Sequence, residues 1–153
     1  MRVCIIYDSM HEGGATATIA ECIGSEMRSA GLDVAVYRVS REQPDLGDCG
    51  LVVLGTPIYF ERPMRTVIEF IDGNNGLEGR KVAVYITCFM ASKKIPSPIR
   101  DKIVRWYLGQ VIKHVRGKII ESTAFSGWIR RPDKEALRRC REWSRRIIEK
   151  LGV

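Results

Sequence analysis

Five short apolar runs, each followed by a stretch with helical spacing, limit the folds open to this chain more than any other feature. The runs cover residues 3–7, 34–39, 51–55, 82–87 and 118–125. The first and third are continuously apolar, the pattern of a strand buried on both faces. Ile19, Ala20, Ile23, Met27 and Ala30 recur at helical spacing over 16–30, with Gly31 as a stop. Met64, Val67, Ile68 and Ile71 do the same over 63–71. Ser97-Pro98 reads as an N-cap followed by proline at the first position of a helix reaching about residue 113. Pro132-Asp133 opens a last helix with Leu137, Cys140, Ile147, Ile148 and Leu151 as its inward stripe. Strands alternating with helices imply a parallel sheet covered on both faces by right-handed crossovers. For 153 residues, this predicts one α/β domain spanning 1–153. It is a three-layer α/β/α sandwich on a doubly wound five-stranded sheet of order 2-1-3-4-5. A ligand then belongs at the carboxyl ends of strands 1 and 3, where the winding reverses.

Composition removes several alternatives. No apolar run approaches the roughly 18 residues of a membrane span, and the amino terminus enters a strand without a signal-peptide pattern. The expectation is a cytoplasmic protein. Cys4, Cys22, Cys49, Cys88 and Cys140 are scattered, with no Cys-x-x-Cys pair and no zinc spacing. They read as ordinary thiols in a reducing compartment, and no metal site is expected. The net charge of +7 gathers late, in Arg130-Arg131, Arg138-Arg139, Arg141 and Arg145-Arg146. Such a basic face suits an acidic partner or an anionic surface, including a peripheral membrane contact, or is simply a solvated helix surface. No specific nucleic-acid module is present.

The loop after strand 1 reads Tyr7-Asp8-Ser9-Met10-His11-Glu12-Gly13-Gly14-Ala15-Thr16-Ala17-Thr18. A phosphate at this place needs free backbone N–H groups, hydroxyl donors and the positive end of a helix behind it. Gly13 and Gly14 let the backbone curl around an anion, while Ser9, Thr16 and Thr18 supply hydroxyls. The loop holds no lysine or arginine, so anion binding here should rest on main-chain dipoles and depend modestly on salt. A Walker A loop and a Gly-x-Gly-x-x-Gly fingerprint are both absent. Thr56 stands where a response-regulator receiver would end strand 3 in aspartate. Cys4 lacks the arginine six residues on that a tyrosine phosphatase requires. A cobalamin-type loop is approached by His11-x-x-Gly14, but Asp8 lies three residues before the histidine instead of two.

After strand 3 comes Gly55-Thr56-Pro57-Ile58-Tyr59-Phe60-Glu61-Arg62-Pro63. Pro57 stiffens this turn, and Tyr59 and Phe60 offer ring faces to a flat aromatic ligand. After strand 4, Thr87, Cys88 and Phe89 occupy the corresponding position. Trp128, beside Arg130-Arg131, is open to three readings: a wall of a substrate mouth, a packing contact or a dimer contact. Trp106, Tyr107 and Trp143 fall on helical stretches and are expected to cover the core.

Both switch-point loops resemble those of the flavodoxin family. Ser9, Gly14, Thr16 and Ala20 match the skeleton of its first loop, though this loop is about two residues longer and His11-Glu12 stands where threonine is frequent. Gly55-Thr56-Pro57 with Tyr59-Phe60 is similar to the family's turn after strand 3. The resemblance implies a flavodoxin-like fold and non-covalent flavin mononucleotide (FMN). Its phosphate would lie on Ser9, His11, Gly13, Gly14, Ala15 and Thr16. Its ring would lie between Thr56, Pro57, Ile58, Tyr59 and Phe60 on one side and Thr87, Cys88 and Phe89 on the other. Tyr59 is the first choice for stacking. Ile58-Tyr59, Lys93-Lys94 and Ala124-Phe125-Ser126-Gly127-Trp128 are also similar to the flavodoxin-like, quinone-linked protoporphyrinogen oxidases. That likeness implies an FMN-dependent oxidase or quinone-type reductase acting through flavin N5, with a quinone or small organic substrate. An electron carrier serving a redox partner protein is the alternative, and a non-enzymatic binding domain ranks last. No set of side chains forms an independent nucleophilic or acid–base centre, as expected where a cofactor supplies the chemistry.

Overall fold

The computed structural model describes residues 1–91, 96–128 and 130–153, with the side chain of Met90 left aside. Lys93-Lys94 therefore lie outside the described residues. Strands β1 (Arg2–Tyr7), β2 (Asp33–Arg38), β3 (Cys49–Tyr59), β5 (Lys81–Cys88) and β6 (Lys118–Ser126) form a parallel sheet of order β2-β1-β3-β5-β6. This is the doubly wound order expected from the alternation of elements. Helices α1 (Ala15–Ser29) and α4 (Lys134–Leu151) cover one face, and α2 (Arg65–Gly73) and α3 (Ser97–Ile112) the other.

The continuous apolar strands follow from this double burial. Val3, Ile5, Leu51 and Val53 point to the α1/α4 core, while Cys4, Ile6, Val52 and Leu54 point to the α2/α3 core, and all eight are at most 1% exposed. The centre of the α4 face is Trp143, which packs edge-on to Tyr85 and Phe125. The buried line of the helix is offset from the expected stripe: Ala136, Cys140, Trp143 and Ile147 are buried. Leu137, Ile148 and Leu151 flank that line, half-buried. Asp133 caps α4, its carboxylate accepting from the N–H groups of Glu135 (2.9 Å) and Ala136 (3.2 Å).

Four local features depart from the sequence reading. A sixth strand, β4 (Arg62–Pro63), folds back antiparallel on the end of β3 through a two-residue turn. Both central residues, Phe60 and Glu61, adopt positive φ (50° and 65°), as a type I′ hairpin turn requires. Non-glycine residues carry strain there, which is why nothing in Phe-Glu signals a hairpin. Ser97 is not a cap: Pro96 takes that place, and the Ser97 hydroxyl accepts from Arg100 (2.9 Å). Trp106 covers no core and is 58% exposed, while its neighbour Tyr107 is buried. Cys4 and Cys49 are paired as a disulfide between β1 and β3 instead of remaining thiols. Their Cα atoms are 5.9 Å apart, within the span a disulfide bridges. Among the described residues, no helix is long and apolar enough to cross a membrane.

Candidate functional site

The carboxyl ends of β1, β3, β5 and β6 converge on one narrow crevice. It is lined from the first loop by Ser9, His11, Gly14, Ala15 and Thr16, and from the end of β3 by Pro57, Ile58 and Tyr59. Thr87, Cys88, Phe89, Gly127 and Trp128 close it from the β5 and β6 side. Eleven of the fourteen residues singled out from sequence thus meet in one place. Gly13 stands back from the lining and makes the turn into α1, with φ of +67° and no neighbour near its missing Cβ. Thr56 is buried and engaged elsewhere: its hydroxyl donates to the Pro57 carbonyl (3.0 Å) and accepts from the Met64 N–H (2.9 Å). That pair of bonds stitches the end of β3 to the start of α2. Phe60 sits at the tip of the β3–β4 turn, 96% exposed, outside the crevice.

The floor at the phosphate-loop end is the first turn of α1. Gly14 is its N-cap, with no side-chain cap and no acidic residue in the first turn. The first amide to find a helical partner is Thr18, which donates to the Gly14 carbonyl (3.0 Å). The N–H groups of Ala15, Thr16 and Ala17 are therefore left for a ligand at the positive end of the helix dipole. The Thr18 hydroxyl, expected to serve a ligand, instead donates to the Gly14 carbonyl (2.9 Å). Ser9 is folded into its own loop: its hydroxyl donates to the His11 carbonyl (2.8 Å) and accepts from the His11 N–H (3.2 Å). Thr16 and Thr87 hydroxyls pair at 2.8 Å. One of the two donates to the other, so the pair keeps one proton free to offer.

Sequence reasoning passed over what holds this loop. Asp8 is completely buried. Its carboxylate accepts from the Ser9 N–H (2.8 Å), the Ser40 hydroxyl (2.8 Å), Thr66 and the Arg38 guanidinium (3.4 Å). Burial alone would push its carboxyl up, but the bonds from Thr66, Ser40, Ser9 and Arg38 outweigh burial and hold it below the ordinary value. Arg38, at the end of β2, also donates to the Ser9 carbonyl (2.6 Å) and lies 3.9 Å from Glu12, which pairs with Arg41 at 2.7 Å. Asp8 and Glu12 together balance Arg38 and Arg41. An arginine does reach the loop, yet the cluster is neutral, and the positive potential still comes from the backbone. No short motif could reveal this network, because its members come from β1, β2 and α2.

One further contact fixes the α1 terminus. Gly55 lies beside Tyr85 in the β3–β5 register, and the Tyr85 ring crosses over it. The Tyr85 hydroxyl then donates to the Thr16 carbonyl (2.8 Å). A Cβ at Gly55 would sit 2.1 Å from Tyr85 Cζ. The glycine is required by this close approach and not by its backbone angle. Burial raises the Tyr85 phenol well above its ordinary value, so the hydroxyl stays protonated and donating.

Residues 4–123, most of the chain, match the family described as a flavodoxin domain. The chain belongs to the flavodoxin domain family. Solved structures agree in fold. Flavodoxin 2 from Bacillus cereus, in its oxidised form, has a TM-score of 0.71 at 18% identity, covering 98% of this chain and 99% of its own. A flavodoxin from the domain Archaea has a TM-score of 0.68 at 17% identity, with full coverage of both chains. The two-electron reduced flavodoxin of Megasphaera elsdenii has a TM-score of 0.62 at 18% identity, covering 94% and 98%. No curated protein sequence matches the chain.

FMN is the cofactor of flavodoxins and, through that membership, of this chain. The crevice fits it unequally along its length. The uncapped α1 terminus is a ready place for a phosphate, and Tyr59, Phe89 and Trp128 offer aromatic surface for the ring. The slot itself has a cavity volume of only about 70 Å³, well short of the ~300 Å³ at which cofactor-sized clefts begin. Phe89, at its mouth, is 60% exposed.

Proposed function

We propose that this flavodoxin-family chain is an FMN-dependent electron carrier. Its phosphate-binding part is the loop from Ser9, through His11, Gly13, Gly14 and Ala15, to Thr16. Its ring slot is formed by Pro57, Ile58 and Tyr59 against Thr87, Cys88, Phe89 and Trp128. The observation that carries this reading is the convergence of an uncapped helix N-terminus and an aromatic slot in a single crevice at the winding reversal. FMN supplies reversible one- and two-electron chemistry. The chain's own part is to hold the phosphate by amides and to shelter the ring.

The carrier role is supported by end-to-end likeness to flavodoxins. Met10, Phe60 and Phe89 are exposed around the mouth. Arg62, Arg130 and Arg131 are exposed as well, and none of the three pairs with a carboxylate among the described residues. An apolar rim set among free guanidiniums suits an acidic redox protein.

A second reading is an FMN-dependent reductase or oxidase using a quinone or small organic substrate. It is favoured by Trp128 in the crevice wall just ahead of Arg130 and Arg131, whose forks suit carboxylate-bearing substrates. The test is an anaerobic reductive titration of the FMN-loaded protein followed by visible absorbance, with a parallel quinone turnover assay. A carrier gives two resolved one-electron steps and turnover no faster than free FMN. A single two-electron step with saturable quinone turnover overturns the carrier reading in favour of the enzyme.

A further inference from the structure

A second cavity, of about 380 Å³, lies on the far side of the short helical turn Phe89–Ala91 from the crevice. It wraps the open edge of the sheet. Among the described residues β6 pairs only with β5, so one row of its N–H and C=O groups faces outward. The cavity takes Ser122 and Thr123 from that edge, Arg100 and Asp101 from α3, and Arg139 from α4. Its apolar wall is Val104 and Leu108 with Ala124.

Several basic residues of α4 are already answered by carboxylates. Arg138, one residue earlier, is fully paired with Glu135 and Glu142. Lys150 pairs with Glu121, and Arg145 with Glu26. Arg139 has no carboxylate among the described residues and instead lies over the Phe125 ring, 5.7 Å from its centroid. Half-buried and stacked, its planar fork is held still, which lowers the cost of making two hydrogen bonds to an anion. Arg100 is fixed by Ser97 and only loosely held by Asp101, at 3.7 Å. The side chains of Ser122 and Thr123 make no hydrogen bond among the described residues, so either can donate to a ligand.

We propose that this cavity binds a small organic carboxylate. Its anionic end would sit between Arg139 and Arg100 with one of the two hydroxyls, since adjacent strand residues face opposite sides of the sheet, and its apolar body against Val104 and Leu108. The volume falls in the range of small-ligand sites, and a bare inorganic anion would leave the apolar wall unused. The site is separate from the flavin crevice and stands or falls independently of it.

The test is a titration of FMN-loaded protein with benzoate, its neutral counterpart benzamide and inorganic phosphate, followed by amide resonances and calorimetry. Benzoate should saturate, moving the resonances of Thr123, Leu108 and Arg139 while leaving Thr16 unmoved. Benzamide should bind at least about tenfold more weakly, and phosphate should leave Leu108 unmoved. Arg139→Gln should weaken benzoate at least about tenfold, and Arg138→Gln should not change it. Should Arg139→Gln fail to fold, Arg100→Gln carries the same comparison. Shifts that never saturate, equal binding of benzamide, phosphate reproducing the whole pattern, or full binding by the Arg139 variant would each overturn the proposal.

Discussion

Gly55→Ala tests the packing that sets the α1 terminus. The added Cβ would lie 2.1 Å from Tyr85 Cζ, 2.3 Å from its oxygen and 2.4 Å from Cε1. Ordinary carbon contacts are about 3.5–4.0 Å, so the ring must retreat by more than about 1 Å. It has nowhere to go. Tyr85 is fully buried and held edge-on by Phe125 and Trp143, with ring centroids at 6.1 and 6.3 Å. Overpacking of this kind costs roughly 1–3 kcal/mol. Losing the bond from Tyr85 to the Thr16 carbonyl adds about 1 kcal/mol, for an expected total of about 2–4 kcal/mol. Urea unfolding of the FMN-free protein measures it, as a lower midpoint with the slope unchanged. Combining Gly55→Ala with Tyr85→Leu should cost less than the two changes summed, by about 1 kcal/mol or more, because the leucine vacates the space the new methyl needs. An unchanged midpoint for Gly55→Ala, or strict additivity in the cycle, would refute this account of the glycine.

Other expectations follow from the same contacts. Asp133→Ala removes the cap that serves the Glu135 and Ala136 amides and should cost about 1 kcal/mol, read as a fall in the urea midpoint; Asp133→Asn should restore most of it. Asp8→Asn breaks a buried carboxylate network and should cost roughly 2–3 kcal/mol at neutral pH. Because the folded Asp8 carboxyl is held below its ordinary value of 3.8, its contribution is complete above that value and is lost as pH falls through the lowered one. The difference between wild type and Asp8→Asn should therefore shrink in strong acid, and a constant difference from neutral pH to about pH 2 would contradict the assignment. Tyr59→Ala should weaken FMN by roughly tenfold, consistent with about 1–1.5 kcal/mol for an aromatic stacking contact, with little change in stability because Tyr59 is only half-buried.

The parallel sheet could be read from sequence because double burial leaves a distinctive trace: runs such as 3–6 and 51–54 have no polar residue to alternate with. The glycine and hydroxyl pattern of residues 9–16 likewise marks an anion loop before any contact is known. What stayed hidden is long-range or strained. Asp8 looks like any loop aspartate until Ser40, Thr66 and Arg38 are brought to it from two other elements. The β3–β4 hairpin rests on Phe60 and Glu61 at positive φ, helped by Gln110 donating to the Glu61 carbonyl (2.9 Å) from α3. Thr56 and Thr18 carry the residue type a ligand site wants, but tertiary structure turns both hydroxyls to backbone. Gly127 enters the crevice wall only because β6 lies beside β5, with its N–H bonded to the Cys88 carbonyl.

The central claim is that amides at the start of α1 hold the phosphate of FMN while the Tyr59 slot shelters its ring. Fluorescence titration with FMN and with riboflavin, which differ only in that phosphate, tests it most directly. FMN should be quenched to one equivalent, with little change between low and moderate salt. Riboflavin should bind at least about tenfold more weakly, equivalent to about 1.4 kcal/mol of phosphate contact. Equal affinity for the two, or no quenching of FMN, would contradict it.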